Sequence, residues 1–344
     1  MNLISMYRYL LLCFSLSATV ASVQAQVRPQ YSQYPMNLYL INPAVGGIEQ
    51  YTDVRIGHRS QWSPLEGAPA TSYLSVHGSI DYDNPSVPAM PRTTDPAQRH
   101  QAYKRKINPN RPVSPHHGVG GLIAVDRIGP YQRIQTNLSY AFHVPLSSLT
   151  TLSAGVSGGL FQNALDQSRV HLADPNDQAL TNGSWRDYRW DLTAGLCLYS
   201  QRYFVGASMA QFLGDEFTFL NQTETAYETN AFHYYLTGGY RIEASSQVSV
   251  IPTVLVKFYS PASPSVDVTM MASFIDRVWA GLSYRSDQTW VALTRFSVTY
   301  LLDIGYSFDY NATQIGPLSH GNHELTVGLR LYNRHKVLRP SYFW

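Results

Sequence analysis

Side chains able to do chemistry are present in this 344-residue chain, but nothing in their spacing gathers them. His116 and His117 offer imidazole nitrogens to a metal, yet a closed zinc site needs four donors, and this pair stands in a proline-rich stretch with no carboxylate nearby. A solvated pair is the simpler reading. Asp174-Pro175-Asn176-Asp177 supplies oxygen ligands of the kind calcium takes, without the glycine and closing glutamate of an EF-hand loop. Serines and histidines from neighbouring strands could meet as the nucleophile and base of a hydrolase, but no nucleophile elbow and no glycine-rich phosphate loop is present. His143, Asp191, Asp303, Asp309 and Glu324 fall on alternating positions that face an interior, where they line or brace it. No catalytic, cofactor-binding or metal-ligating residue is therefore assigned, and no cofactor is expected.

The elements that must position these groups are strands. From Tyr300 one face reads Tyr300, Leu302, Ile304, Tyr306, Phe308 and Tyr310, while Thr299, Asp303, Gly305, Ser307 and Asp309 take the other. Near the C-terminus Leu325, Val327, Leu329 and Leu331 alternate with Glu324, Thr326, Gly328 and Arg330. Successive side chains of a strand point to opposite faces, so one set can meet lipid while the other lines a polar interior. Such segments are predicted near 51 to 61, 70 to 80, 118 to 127, 132 to 144, 151 to 163, 186 to 199 and 203 to 211. Seven more are predicted near 230 to 242, 247 to 258, 265 to 273, 277 to 286, 289 to 296, 299 to 309 and 323 to 332. The pattern predicts an all-β fold, a transmembrane antiparallel β-barrel of about fourteen strands. A soluble β-sandwich is the other all-β reading.

Composition fits the barrel. Mean hydropathy is slightly negative at −0.20, although aromatics reach 13% and charged residues only 14%. The 25 tyrosines suit aromatic girdles, where a ring is buried while its hydroxyl stays wet. A formal charge of +2 with no basic helix gives no reason to expect nucleic acid. At the N-terminus Arg8 precedes an apolar stretch from Tyr9 to Ala21, and Val23-Gln24-Ala25 offers small residues for cleavage, so residues 1 to 25 read as a signal peptide. Cys13 lies within that leader, and Cys197, the one cysteine beyond it, reads as a small packing residue. The expected location is the bacterial outer membrane.

With both termini periplasmic, short connections such as Ser200 to Arg202, Glu243 to Ser246, Phe274 to Asp276 and Ser297 to Val298 fall on the periplasmic side. Longer loops fall outside, and the one with Asp215, Glu216, Glu224 and Glu228 carries no Lys or Arg. One connection breaks the rule. Residues 81 to 117 form a long periplasmic insertion with seven prolines and the cations Arg92, Arg99, Lys104, Arg105, Lys106 and Arg111. The tail from 333 to 344 adds Arg334, Lys336 and Arg339 on the same side. Both read either as solvated linkers or as docking surfaces for a periplasmic partner.

Turn formers surround an aromatic anchor early in the chain: Asn42-Pro43, Gly46-Gly47, Gln61-Trp62 and Gly67-Ala68-Pro69. Further on come the run from Gly118 to Asp126-Arg127-Ile128-Gly129-Pro130, the strand Leu138 to Leu146, Val278 to Arg285, Ile304 to Asp309, and Gly321-Asn322-His323-Glu324. In this order, over some 290 residues, they resemble the PorP/SprF family of type IX secretion proteins of the Bacteroidetes. Asn42, Pro43, Gly46, Gln61, Trp62, Gly67, Ala68, Pro69, Asp126, Gly129, Pro130, Arg285 and Glu324 carry the likeness. The chain departs from the family at Val45, where an aromatic is frequent, in the long insertion, and in running past the last strand, so that Tyr332 stands where the barrel-assembly aromatic is expected.

The resemblance implies a non-enzymatic outer-membrane component that works by binding. Its partners would be periplasmic and outer-membrane parts of the secretion machinery, and secreted adhesins or their C-terminal domains, including those of gliding cells. A solute channel is the second reading and an outer-membrane hydrolase the third. Channel function needs an open lumen: the small inward residues Ser153, Gly155, Ser157 and Gly159 leave space, which either residues 26 to 50, a periplasmic or plug segment preceding the barrel of 51 to 332, or the surface loops would close.

Overall fold

The computed structural model describes residues 30–63, 65–80, 114–147, 149–166, 169, 186–211, 232–259, 263–312 and 320–333. Alternation of the kind read from the sequence produces β1 (Thr52–Ser60), β2 (Ala70–Ile80), β3 (His116–Ile128), β4 (Tyr131–Pro145), β5 (Thr150–Leu165), β6 (Arg186–Ser200) and β7 (Tyr203–Ala210). There follow β8 (His233–Tyr240), β9 (Ile242–Glu243), β10 (Val248–Tyr259), β11 (Ser265–Phe274), β12 (Val278–Arg285), β13 (Thr289–Ser297), β14 (Leu302–Asn311) and β15 (Asn322–Leu331). β8 and β9 are two parts of one barrel strand, since Gly239 pairs with Thr253 and Ile242 with Val250 in a single register. Fourteen strands result, each antiparallel to its neighbours, and the pairing of β1 with β15 closes the sheet. Closure leaves no unpaired edge, which a spanning sheet in lipid requires.

The two faces separate as the sequence pattern predicts. Ile304, Tyr306 and Tyr310 point outward and exposed, while Asp303, Ser307 and Asp309 between them are fully buried. On β15 Leu325 and Leu331 are exposed, and Glu324 and Arg330 are buried. Among the described residues no helix is long and apolar enough to cross a membrane.

Three expectations need correction. His116 and His117 are not part of a solvated linker, for β3 begins at His116, which pairs with His143 across the ladder. The two rings stack with centroids 4.3 Å apart, and that contact holds the strand end in register. Tyr300 stands in a turn rather than a strand, because the Thr299 hydroxyl accepts the N–H groups of Leu301 and Leu302 at 3.1 and 3.0 Å and delays β14. The interior is not uniformly polar either: Ile251, Leu255, Met271, Trp279, Val291 and Leu293 on β10 to β13 turn inward and are buried.

The wall has one lipid face, and that is testable by labelling. Single cysteines at Ile304 and Tyr306 should resist a membrane-impermeant thiol reagent in outer-membrane vesicles, and a brominated lipid should quench a fluorophore attached there. A quenched fluorophore at Ser307 instead would reverse the assigned faces.

Candidate functional site

A stretch that joins no strand occupies the space inside the wall. Residues 31–51 advance through short 3-10 turns at Tyr34–Met36, Leu38–Leu40 and Pro43–Val45. Backbone groups shut away from water must find partners locally. They do so through bonds such as Met36 N–H to Gln33 O at 2.9 Å, Asn37 N–H to Tyr34 O at 3.0 Å and Gly46 N–H to Pro43 O at 3.0 Å. The Asn42 side chain caps the third turn by accepting the Ala44 N–H at 3.0 Å.

One end of the segment is held by charge. The Ser32 N–H donates to Glu324 Oε2 at 2.8 Å, and its hydroxyl donates to Asp309 Oδ2 at 2.6 Å while accepting Arg59 Nη1 at 2.7 Å. Arg59 bridges the two acids, 2.7 Å from Asp309 and 3.4 Å from Glu324. Arg285 closes the group by donating to Asp267 at 3.3 Å and to the Ser32 hydroxyl at 3.4 Å. Gln33 then donates to Glu324 O and accepts the Thr326 hydroxyl, at 2.9 and 2.7 Å. Arg59, Arg285 and Asp309 lie near the loop-bearing ends of their strands, so Ser32 is anchored there.

The middle is apolar. Tyr34, Met36, Leu38, Leu40, Ile41, Val45 and Ile48 are buried in one cluster with the inward side chains of β10 to β13 and with Tyr73, Leu122 and Phe204. Gly155 and Gly195 let the Asn42–Ala44 turn reach the wall, since a Cβ at either would stand 2.5 Å from Ala44 N or 2.1 Å from Asn42 Oδ1. Asn42 Nδ2 donates to Leu196 O at 3.0 Å, and the Ser208 hydroxyl donates to Ile41 O at 2.6 Å. The space that Gly155 leaves is thus taken by the chain itself.

At the far end three histidines hold the Gly46-Gly47 turn. His143 Nε2 lies 2.9 Å from Gly46 O, His116 Nε2 lies 3.2 Å from Gly47 O, and the Gly47 N–H donates to His77 Nδ1 at 3.4 Å. Nearby, Asp303 receives Arg295 at 2.9 Å and Arg330 at 2.8 Å, with Arg55 at 3.8 Å. His116 opens β3 and Asp303 follows the first residue of β14, which places this end at the short turns. The segment therefore runs the length of the lumen.

The family-motif residues divide between two places. Asn42, Pro43, Gly46, Arg285 and Glu324 lie in the lumen, on the segment or on the groups that hold it. The others brace one rim: Gln61 N–H bonds Pro69 O, Trp62 N–H bonds Asn322 Oδ1, and Ala68 N–H bonds Leu65 O. Gly67 and Gly129 both take positive φ, at 71° and 57°, and the Gly129 N–H donates to Gly67 O at 2.9 Å, which ties the β1–β2 loop to the β3–β4 turn. Asp126 accepts the Thr71 hydroxyl, and Pro130 O accepts the Asp166 N–H.

His143, Asp191, Asp303, Asp309 and Glu324 are buried on inward faces; Asp191 accepts Asn137 Nδ2 at 2.6 Å and Gln135 Nε2 at 2.9 Å. Cys197 is buried facing inward. Ser32, Gln33, Arg55, Arg59 and Arg295 escaped the sequence reading, although Asp53, Arg55 and Arg59 sit on the inward alternation of β1 where charge needs a partner. Arg92, Arg99, Lys104, Arg105, Lys106, Arg111, Arg334, Lys336 and Arg339 lie outside the described residues, as do the Asp174–Asp177 and Asp215–Glu228 loops. Among the described residues no group of His, Cys, Asp and Glu is placed to hold a metal.

Removing Arg59 would leave Asp309 and Glu324 buried beside Ser32 with their bridging cation gone. Arg59→Leu should lower barrel stability by about 3–5 kcal/mol, seen as a lower temperature for loss of the compact form on semi-native electrophoresis. A variant as heat-resistant as the parent would remove the charge clasp from the account.

Type IX secretion system membrane protein PorP/SprF is the family whose pattern matches residues 23–329. No curated protein matches the chain. Among solved structures, the CymD monoaromatic hydrocarbon channel is 11% identical with a TM-score of 0.48, over 89% of this chain and 94% of that one. The Ralstonia pickettii toluene transporter TbuX is 10% identical with a TM-score of 0.44, over 87% and 93%. Acinetobacter baumannii Omp33 is 11% identical with a TM-score of 0.40, over 83% and 100%. The family match spans nearly the whole barrel together with the segment inside it, and the chain belongs to the PorP/SprF family of type IX secretion system membrane proteins.

Proposed function

We propose that the chain is a non-enzymatic, internally filled outer-membrane scaffold that works by binding the secretion machinery, secreted surface proteins or both. The observation that carries this reading is the occupation of the lumen by residues 31–51, fixed to the wall at both ends and in the middle. A solute path would have to displace that segment and expose its apolar side chains together with those of β10 to β13. Work by contact asks for surfaces instead. The 81–115 connection supplies one: β2 ends at Ile80 and β3 begins at His116 on the side of the short turns, which in bacterial barrels is periplasmic. Its basic, proline-rich sequence suits an acidic protein surface, and charge attraction of this kind weakens with salt. The tail with Arg334, Lys336 and Arg339 leaves from the same side, after Leu331.

Purified protein in planar bilayers should show no stable single-channel conductance; steady conductance from the unmodified chain would favour the channel. Replacing residues 81–115 by a short Gly/Asn turn should keep the barrel folded while reducing copurification of periplasmic secretion components from native envelopes, and raised salt should do the same to the parent. An unchanged set of copurified proteins would take the docking role from this connection.

A further inference from the structure

The outer wall is not evenly studded with large side chains. Across β5, β6 and β7 the outward positions include Ala154, Ala194 and Ala207, and the cross-strand registers bring them into adjoining rows: Ala154 pairs with Leu196, Leu196 with Ala207, and Val156 with Ala194. Tyr140 and Phe142 of β4 stand on one side of this floor, and Tyr234 of β8 and Phe258 of β10 stand on the other. A groove of about 740 Å³ lies between them, lined almost wholly by apolar side chains. At a strand spacing of about 4.8 Å it spans roughly 19 Å from β4 to β8.

The floor is low because the wall is gripped from inside. Gly155, Gly195 and Ser208 face the lumen at the same place, where the Asn42–Ala44 turn lies against them. Small residues inside admit the turn, and small residues outside leave a hollow behind it. The hollow opens on the lipid belt, so its contents come from the membrane; left empty, its lining would forfeit dispersion contacts that a chain of methylenes restores. Depth selects the leaflet. Ala154, Leu196 and Ala207 each lie four residues inside the short-turn end of their strands. That end faces the periplasm by the short-turn rule, and the periplasmic leaflet is phospholipid.

We propose that the groove over β5 to β7 is a phospholipid site that seats an acyl tail between the Tyr140/Phe142 and Tyr234/Phe258 walls and holds it longer than lipid elsewhere on the belt. A tail there is contacted on three sides, whereas one on the convex wall is contacted on a single side.

The test uses the full chain in vesicles of phosphatidylcholine carrying a trace of the same lipid nitroxide-labelled on its tail. The parent should show a strongly immobilised spectral component that Ala207→Trp, which fills the floor, reduces several-fold. Ala292→Trp, outward on β13 and away from the groove, should keep it. Should Ala207→Trp fail to assemble, Tyr234→Ala with Phe258→Ala opens one wall while leaving the floor intact, and the same loss is expected. Native mass spectrometry from gentle detergent should find phospholipid retained by the parent and lost from the filled variant. Equal immobilisation in the parent and the groove variants would overturn the site. So would retention of lipopolysaccharide in place of phospholipid, or photocrosslinking from residue 207 to a protein segment.

Discussion

A barrel of fourteen strands encloses more space than its own inward side chains fill, and everything else in this structure follows from how that space is closed. Eight strands leave an interior that side chains pack completely; sixteen or more leave an aqueous passage. Between these limits a segment of the chain can enter and fill the space. Here it is residues 31–51 of the same chain, and their entry explains why the inner wall is neither the polar lining of a pore nor a dry core throughout. Where the segment presents Tyr34, Met36, Leu38 and Ile48, the wall answers with aliphatic and aromatic groups. Where the segment presents Ser32, Gln33 and Asn37, it answers with acids, arginines and hydroxyls.

The interior is therefore layered. Ion pairs gather toward both ends, around Asp309 at the loops and Asp303 at the turns, with the apolar cluster between them. Buried ion pairs are poor sources of net stability, because desolvation offsets most of the attraction, but a missing partner is costly. Their contribution here is to placement. A segment of short turns has little structure of its own to fix its register; the charged group around Ser32 fixes one end, and the histidines on the Gly46-Gly47 turn fix the other. The same placement links the inner and outer surfaces, since the Asn42 turn, pressed against Gly155 and Gly195, sets the shape of the wall where lipid meets it.

Much of the wall was legible beforehand. Period-two alternation reports a strand and its faces directly, so β14 and β15 could be read with their inward acids, and Asp303, Asp309 and Glu324 were singled out before their arginines were known. The lumen was less legible. An antiparallel ladder is a local pattern repeated, whereas Ser32 meets Glu324 across 292 residues and no spacing in the sequence announces it. His116 was misread for the same reason: proline-rich neighbours signal a linker, and only the stacking on His143 shows where that linker ends. Asn42, Arg285 and Glu324 were found through likeness to a family, and the geometry supplies the reason they belong together.

The central claim is that residues 31–51 are part of the barrel's core and not a removable stopper. Deleting residues 31–47, with residues 1–30 and all strands retained, tests it most directly through heat-modifiable migration of the outer-membrane product. The account predicts no heat-modifiable band, because the buried side chains of Tyr34, Met36, Leu38, Tyr39, Leu40, Ile41 and Val45, at on the order of 1.5–3 kcal/mol each, are lost and the wall they cover is exposed. A folded barrel of normal abundance from the deleted chain would contradict it.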